Sequence, residues 1–221
     1  MMRPANHPGG TRHDYGGGFG RGRTIVEEVW QIIAFVEEQT GLPSRWNGGL
    51  LVLTDGTGEA QTAQMLARVP YLAKKEWSCA ITVVESVLQD DQRWRTLLHE
   101  ALHSISVGLT EPDYQRFRLW EEAVVESLQR LYRPHLFERL GLDVPESRFI
   151  GLEASWPYNH AMAALGRIAA ERPEVPTRDF LEGMLRTRLP DRPAFVFEWG
   201  RQAADFDHFK RVYAAASGLL R

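Results

Sequence analysis

Apolar residues recur at helical spacing soon after the start of the chain. Thr24 and Glu27 form a capping box, in which each side chain reaches the other residue's backbone N–H. The apolar positions that follow are Ile25, Val29, Ile32, Ile33 and Val36. Because Gly41 and Pro43 end this pattern, the sequence predicts a first helix from residue 25 to about 40.

Two short apolar runs predict strands. Residues 50–53 are Leu-Leu-Val-Leu and lie between glycine-rich turn residues, as a buried strand would. Residues 79–84 are rich in β-branched side chains, which favour extended backbone. Between the two runs, residues 59–69 are predicted to form a helix that Pro70 stops.

The rest of the chain has helical periodicity, which makes the predicted fold a single α+β domain over residues 24–221 with a small sheet and a mostly helical C-terminal half. Helices are expected from Asp90 to about Ser106, from Pro112 to Tyr132, from Pro157 to about Ala170, over 177–187 and over 199–219. Thr110 and Ser155 are suited to cap the second and third of these, and Pro134 is expected to prevent continuation beyond Tyr132.

Composition narrows the classes of protein. The 221 residues carry a net charge of −3, too balanced to indicate nucleic-acid binding by global attraction. No apolar run approaches the roughly 20 residues of a membrane span, and the N-terminus lacks the apolar part of a secretory signal. Cys79 is the lone cysteine, so no internal disulfide forms and an inert buried thiol is expected. A cytoplasmic protein with no membrane partner is therefore expected, and its oligomeric state is left open.

Residues 1–23 differ from the rest because glycine alternates with arginine and little can be buried. This composition predicts a flexible tail. It has a faint similarity to arginine-glycine segments that bind RNA, and that alternative would show as salt-sensitive binding lost with residues 1–23.

The strongest chemical signal is His99-Glu100-Ala101-Leu102-His103, inside the helix expected from Asp90. Residues four apart leave the same face of a helix, so both imidazoles can bind one ion. Glu100 projects beside that pair, where its carboxylate can take a proton from a water at the metal. The alternatives are coincidence or a core histidine pair bonded to backbone, but the apolar surroundings favour a metal site.

Catalytic zinc normally takes three protein ligands, so a third must lie elsewhere. The metzincin pattern would need glycine and histidine where this chain has Ser106 and Leu109, which excludes that class. On the next predicted helix, Glu122 follows His103 after a gap of 18 residues. Its neighbour Glu121 has the more apolar surroundings and is the alternative ligand.

With this spacing the chain resembles the gluzincin zinc metallopeptidases over roughly residues 79–126. The resemblance implies a zincin-like domain in which His99, His103 and Glu122 bind Zn²⁺ and Glu100 is the general base. It implies that Glu126, one turn after the ligand glutamate, holds a ligand histidine in place. It also implies that residues 79–84 form an edge strand over the active-site helix and pair with an extended peptide or protein substrate.

A donor that stabilises the oxyanion is also needed. Tyr158 and His160 are favoured because they open the helix after Pro157, and Tyr114 is the third candidate. Whether a peptide substrate would be cleaved internally or at one of its ends is left open. The rival function is a zincin-like module that binds zinc or peptide without turnover, as a regulatory or interaction protein.

Overall fold

A computed structural model describes residues 24–53, 64–66 and 79–220, and it shows a mainly helical α+β chain. The strands are β1 (Trp46–Leu53), β2 (Gln64–Leu66) and β3 (Cys79–Val84). The helices are α1 (Ile25–Thr40), α2 (Glu85–Leu88), α3 (Gln92–Ile105), α4 (Glu111–Leu140), α5 (Ser147–Ala154), α6 (Asn159–Ala169), α7 (Thr177–Arg186), α8 (Arg192–Gly200) and α9 (Phe206–Ser217). Two 3-10 turns, Leu189–Asp191 and Gly218–Leu220, complete the described elements. The predicted tail, residues 1–23, lies outside the described residues.

Helix α1 begins and ends as its sequence predicts. The Thr24 hydroxyl accepts a hydrogen bond from the Glu27 backbone N–H, and Glu27 in turn accepts one from Thr24. Gly41 ends the helix with φ of 68°, a conformation that glycine adopts without steric cost. The buried face, which includes Ile32 and Val36, packs on α3.

The sheet has the strand order β1-β3-β2, with β3 parallel to β1 and antiparallel to β2. Both predicted strands are therefore confirmed, and β1 begins earlier than predicted. The expectation that residues 79–84 form an edge strand is wrong, because β3 is hydrogen-bonded on both sides. The described part of the predicted helix over 59–69 is also a strand, since residues 64–66 pair with residues 80–82. Pairing between strands here overrides a local helical pattern.

Helix α3 lies at the centre of the fold, and every residue from Arg93 to Ile105 is buried. It packs against α1 on one side and α4 on another. Burial around the whole helix means that its polar side chains must find partners inside the protein. The two histidines on this helix, His99 and His103, are therefore expected to have polar partners within the protein.

Helix α4 is longer than predicted, because it continues through Pro134 to Leu140. Proline removes one backbone hydrogen bond and costs about 3 kcal/mol inside a helix. The buried residues on either side of it, Tyr132 and Leu136, bury apolar surface that compensates for this loss. The interruption lies instead at Phe117, one turn before Glu121, where φ and ψ leave the helical region.

The C-terminal helices differ from the prediction, which included neither α5 nor most of α8. Ser155 ends α5, and its hydroxyl donates to the Leu152 carbonyl instead of capping α6. The helix predicted over 199–219 begins later, at Phe206, because α8 ends at Gly200 and Asp205 caps α9. A Cβ at Gly200 would lie 1.9 Å from the Phe209 ring, so the reversal lets α9 pack directly on the α8 backbone. No described helix is long and apolar enough to cross a membrane.

Candidate metal centre

Two histidines meet on one face of α3. His99 and His103 are one helical turn apart, and their Nε2 atoms lie 3.1 Å from each other. Both residues are buried, with exposed fractions of 7% and 5%. The spacing of the motif therefore produces the convergence expected of it.

Helix α4 brings Glu122 to the same place. Its Oε2 lies 3.3 Å from His99 Nε2 and 3.9 Å from His103 Nε2. Among the residues that the structure describes, His99, His103 and Glu122 form a group whose ligand atoms lie within 4.8 Å of one another. This group could hold a metal ion.

The three distances fit a tetrahedral ion. With metal–ligand bonds of 2.0–2.1 Å, two ligand atoms of a tetrahedron lie about 3.4 Å apart. The observed separations between His99, His103 and Glu122 are 3.1, 3.3 and 3.9 Å. Small side-chain movements would make them equal, so the size of the donor set suits a tetrahedral metal ion.

Carboxylates on the far side of each ring orient the imidazoles. His99 Nδ1 lies 3.1 Å from Glu126 Oε2, and His103 Nδ1 lies 2.8 Å from Glu121 Oε1. A carboxylate accepts a hydrogen bond, so each Nδ1 carries the proton. The lone pair of each Nε2 then points into the group, which is the tautomer that a metal needs.

Glu121 is held in its place by a buried cation. Arg192 Nη1 lies 2.7 Å from Glu121 Oε2, both side chains are fully buried, and the Ser106 hydroxyl donates to the same oxygen. Burial acts to raise the pKa of Glu121, but the charges of Arg192 and His103 and the hydrogen bonds from His103 and Ser106 lower it to about 2. Glu121 is therefore a carboxylate that supports His103 from behind.

Glu126 has the same role for His99. Arg95 Nη2 lies 2.8 Å from Glu126 Oε1, and Arg130 Nε lies 3.0 Å from that oxygen. Burial raises the pKa of Glu126, whereas its bonds to His99 and Arg95 lower it to about 2. The residue one turn after Glu122 thus contacts His99, one of the three converging residues.

The three converging atoms need a positive charge among them. Burial lowers the pKa of His99, but hydrogen bonds to Glu122 and Glu126 and the charges of Glu122 and Glu100 raise it to about 10. Two neutral Nε2 lone pairs at 3.1 Å would repel each other. A proton on His99 relieves that repulsion, and a divalent cation bound to all three atoms would do so more fully.

Glu100 is buried beside the pair, with an exposed fraction of 4%, and is not one of the three converging residues. Its charge acts on His99 and helps to raise the pKa of that imidazole. The Glu100 carboxylate is thus near enough for its charge to act on His99, and it is not one of the three converging residues.

Two tyrosines line the exposed side of the group. The Tyr114 hydroxyl donates a hydrogen bond to Glu122 Oε1, and the Arg118 guanidinium donates one to the Tyr158 hydroxyl. The Trp156 ring lies 6.2 Å from that of His99 and 5.8 Å from that of Tyr158. Of the candidate donors, Tyr114 contacts the Glu122 carboxylate, and Tyr158 contacts Arg118, whose Nε lies 3.9 Å from that carboxylate.

His160, the remaining candidate donor, is exposed on the first turn of α6 and is not part of the group. Sequence reasoning treated Glu121 and Glu122 as competitors for one role, whereas the structure gives each its own histidine contact. Their separation of about 100° on a helix was the signal that they could approach the histidine pair from two sides. Arg192 and Arg118 were missed, and no local motif marks them.

The chain was compared with known proteins at three levels. No protein-family model matches it, no curated protein matches it, and no solved structure matches it.

Proposed function

We propose that this protein is a zinc-dependent hydrolase of peptide bonds with a zincin-like active site. The observation that carries the proposal is the convergence of His99 Nε2, His103 Nε2 and Glu122 Oε2 in a buried group of tetrahedral size. Glu100 follows His99 directly, in the pattern that gluzincin peptidases use. A site meant only to bind a metal would need the three ligands but not the additional carboxylate of Glu100.

The three ligands would hold Zn²⁺ with one position left for water or substrate. When bound, the ion would lower the pKa of a water toward about 7 and polarise the substrate carbonyl. The peptide class follows from the resemblance of the motif, and β3 cannot supply the pairing edge because it is hydrogen-bonded on both sides.

The chain's own residues supply the remaining chemistry. Glu100 would accept the proton from the attacking water and give it to the leaving amine nitrogen. Glu121 and Glu126 keep the Nδ1 protons of His103 and His99 in place, so both Nε2 atoms stay available. Tyr158 and Tyr114 are the hydroxyl donors on the exposed side, and one of them would stabilise the oxyanion.

The experiment combines metal analysis with a peptide-library assay. Purified protein should contain or take up one zinc ion per chain, and it should cleave members of a fluorogenic peptide library. Glu100→Gln should keep the zinc and lose at least about 100-fold in hydrolysis. Glu138→Gln, a matched change at an exposed carboxylate on α4, should alter neither.

The outcomes separate enzyme from binding module. The rival function, a module that binds zinc or peptide without turnover, would be supported if the wild-type protein takes up zinc but cleaves no peptide, and if Glu100→Gln takes up the same amount of zinc. Absence of stoichiometric divalent metal would refute the metal centre itself.

A further inference from the structure

Arg118 is a cation at the candidate metal group whose ion pair with the buried Glu122 is long, at 3.9 Å. The other arginines beside the group form close ion pairs: Arg95 and Arg130 contact Glu126, and Arg192 contacts Glu121. The Arg118 side chain is 55% exposed, whereas the Glu122 side chain, one turn later on α4, is 6% exposed. Arg118 therefore lies where the enclosed group meets solvent.

Two aromatic rings fix the position of this guanidinium. Its central carbon lies 5.8 Å from the centre of the Tyr114 ring and 5.6 Å from that of Tyr158. One of its N–H groups also donates to the Tyr158 hydroxyl. Arginine has five N–H donors, so several remain directed at solvent on a head group whose orientation is already set.

The charge balance changes when a metal binds. Arg118 Nε lies 3.9 Å from Glu122 Oε1, beyond hydrogen-bond distance. That oxygen already accepts the Tyr114 hydroxyl, and Oε2 faces the histidines. A divalent cation bound to Glu122 would neutralise the negative charge of that carboxylate. Arg118 would then be a positive group that faces solvent without a balancing charge.

We propose that Arg118 binds a carboxylate of the substrate next to the bond that is hydrolysed, an inference that rests on the proposed function. In a peptide, the carbonyl carbon of one residue lies roughly 3–4 Å from that of the next. A C-terminal carboxylate one residue beyond the scissile carbonyl would thus lie beside the metal group, within reach of the neighbouring guanidinium. An Asp or Glu side chain close to the scissile bond would offer the same chemistry.

The test uses acetylated tetrapeptide mixtures in three forms. The first has a free C-terminal carboxylate and no acidic side chain, the second is the same mixture amidated, and the third is amidated and contains Asp or Glu. Peptides retained by zinc-loaded Glu100→Gln protein are quantified by mass spectrometry, so that binding is measured apart from turnover. Cleavage of the same mixtures by the wild-type protein is followed in parallel.

Arg118→Gln should lower retention of the preferred carboxylate form by about 10- to 100-fold, and the amidated neutral mixture should not change. Arg118→Lys should retain part of the preference because it keeps the charge but loses the planar fork. The matched control is Arg116→Gln, an exposed arginine two residues earlier on α4. It should leave retention and zinc content as they are.

Each result decides a point. Preference for the free C-terminus identifies that carboxylate as the ligand, and preference for the third mixture identifies a side-chain carboxylate. Equal retention of all three forms, or a preference that survives Arg118→Gln, overturns the proposal while leaving zinc-dependent cleavage intact. Failure of the wild-type protein to take up zinc or cleave any mixture removes the proposed function itself.

Discussion

Glu121 and Glu122 are adjacent in the chain and contact the histidine pair from opposite sides. Glu121 Oε1 lies 2.8 Å from His103 Nδ1, whereas Glu122 Oε2 lies 3.3 Å from His99 Nε2. The difference in direction follows from the rotation of about 100° between neighbouring helical residues. One turn of α4 thus supplies one residue of the converging group and the hydrogen-bond partner of another.

This relationship predicts different results for two matched variants. Glu122→Gln should abolish stoichiometric zinc binding, because it removes a ligand charge. Glu121→Gln should retain zinc with affinity reduced by about 10- to 100-fold, because it weakens only the support of His103. Competition with a chelator of known affinity measures both. Equal loss of zinc in the two variants would contradict these separate roles.

Glu121→Gln should also lower stability in the metal-free protein. The change leaves the fully buried Arg192 without its carboxylate, which costs about 3–5 kcal/mol. Replacing both residues, as in Glu121→Gln with Arg192→Met, should cost less than the sum of the single changes because no buried charge is left alone. Urea unfolding of all four proteins in the presence of chelator tests this coupling. Strict additivity would show that the pair does not interact.

Local patterns predicted the part of the centre that lies within one helix. The positions of His99 and His103 relative to each other depend only on helical geometry, so their spacing was sufficient. Arg192 could not be found in this way, because it approaches Glu121 from a distant segment of the chain. The 3-10 turn Leu189–Asp191, directly before Arg192, packs on α4 and brings the two residues together. The position of Arg118 likewise depends on Tyr158, which is distant in sequence and contacts its guanidinium.

The wrong predictions of the fold have the same origin. Residues 64–66 carry a helical pattern but pair with β3, and α4 crosses Pro134 because its apolar face is buried on both sides of the proline. In both cases contacts distant in sequence outweigh a local preference. Such contacts are set by the fold and leave no periodic mark on the chain.

Zinc should stabilise the folded protein through the same three ligands. At a free concentration of about 100 times Kd, a ligand that binds only the native state adds about 2.7 kcal/mol to the free energy of unfolding. Addition of zinc should raise the Tm in differential scanning calorimetry, and chelator should reverse the rise. His103→Asn should abolish the shift, whereas His135→Asn, at an exposed position on α4, should retain it. A zinc-induced shift that persists in His103→Asn would place the ion elsewhere.

Glu182 should contribute to stability at neutral pH and lose that contribution in acid. Burial raises its pKa, but hydrogen bonds from Tyr132, Arg178 and Arg186 outweigh burial and lower it. A carboxylate whose pKa is lower in the folded than in the unfolded chain stabilises the fold above its usual pKa of about 4.3. The stabilisation fades as pH falls below that value toward the lowered pKa.

Glu182→Gln should therefore reduce stability at pH 7 and make it less dependent on pH between about 5 and 3. Urea unfolding at a series of pH values compares this variant with the wild type and with Glu138→Gln, whose carboxylate is exposed. Parallel stability curves for wild type and Glu182→Gln over this range would count against the assignment.

The packing of α9 on α8 should tolerate no side chain at position 200. A Cβ there would lie 1.9 Å from the Phe209 ring, so Gly200→Ala should destabilise the protein by about 1–3 kcal/mol or more. Gly166→Ala is the control, because nothing lies within 4 Å of a Cβ at that helical position and alanine favours helix. It should leave stability equal or slightly higher in urea unfolding. Similar effects of the two changes would mean that α9 does not close on Gly200.

Substitutions of Tyr114 and Tyr158 should have different effects, the first on zinc affinity and the second on turnover. Tyr114 donates to Glu122, so Tyr114→Phe frees a ligand carboxylate and should weaken zinc binding by about 10-fold. Tyr158 contacts Arg118 instead of a ligand, so Tyr158→Phe should leave zinc affinity unchanged. If its hydroxyl stabilises the oxyanion, kcat should fall by about 100-fold or more with little change in KM, because that contact forms only in the transition state. The reverse pattern, with zinc lost in Tyr158→Phe and kcat lost in Tyr114→Phe at saturating zinc, would exchange the roles.

Both rings also contact Arg118, so a third result is informative. A rise in KM in either variant, confined to peptides that carry a carboxylate, would show that the ring positions the guanidinium and does not take part in the chemical step.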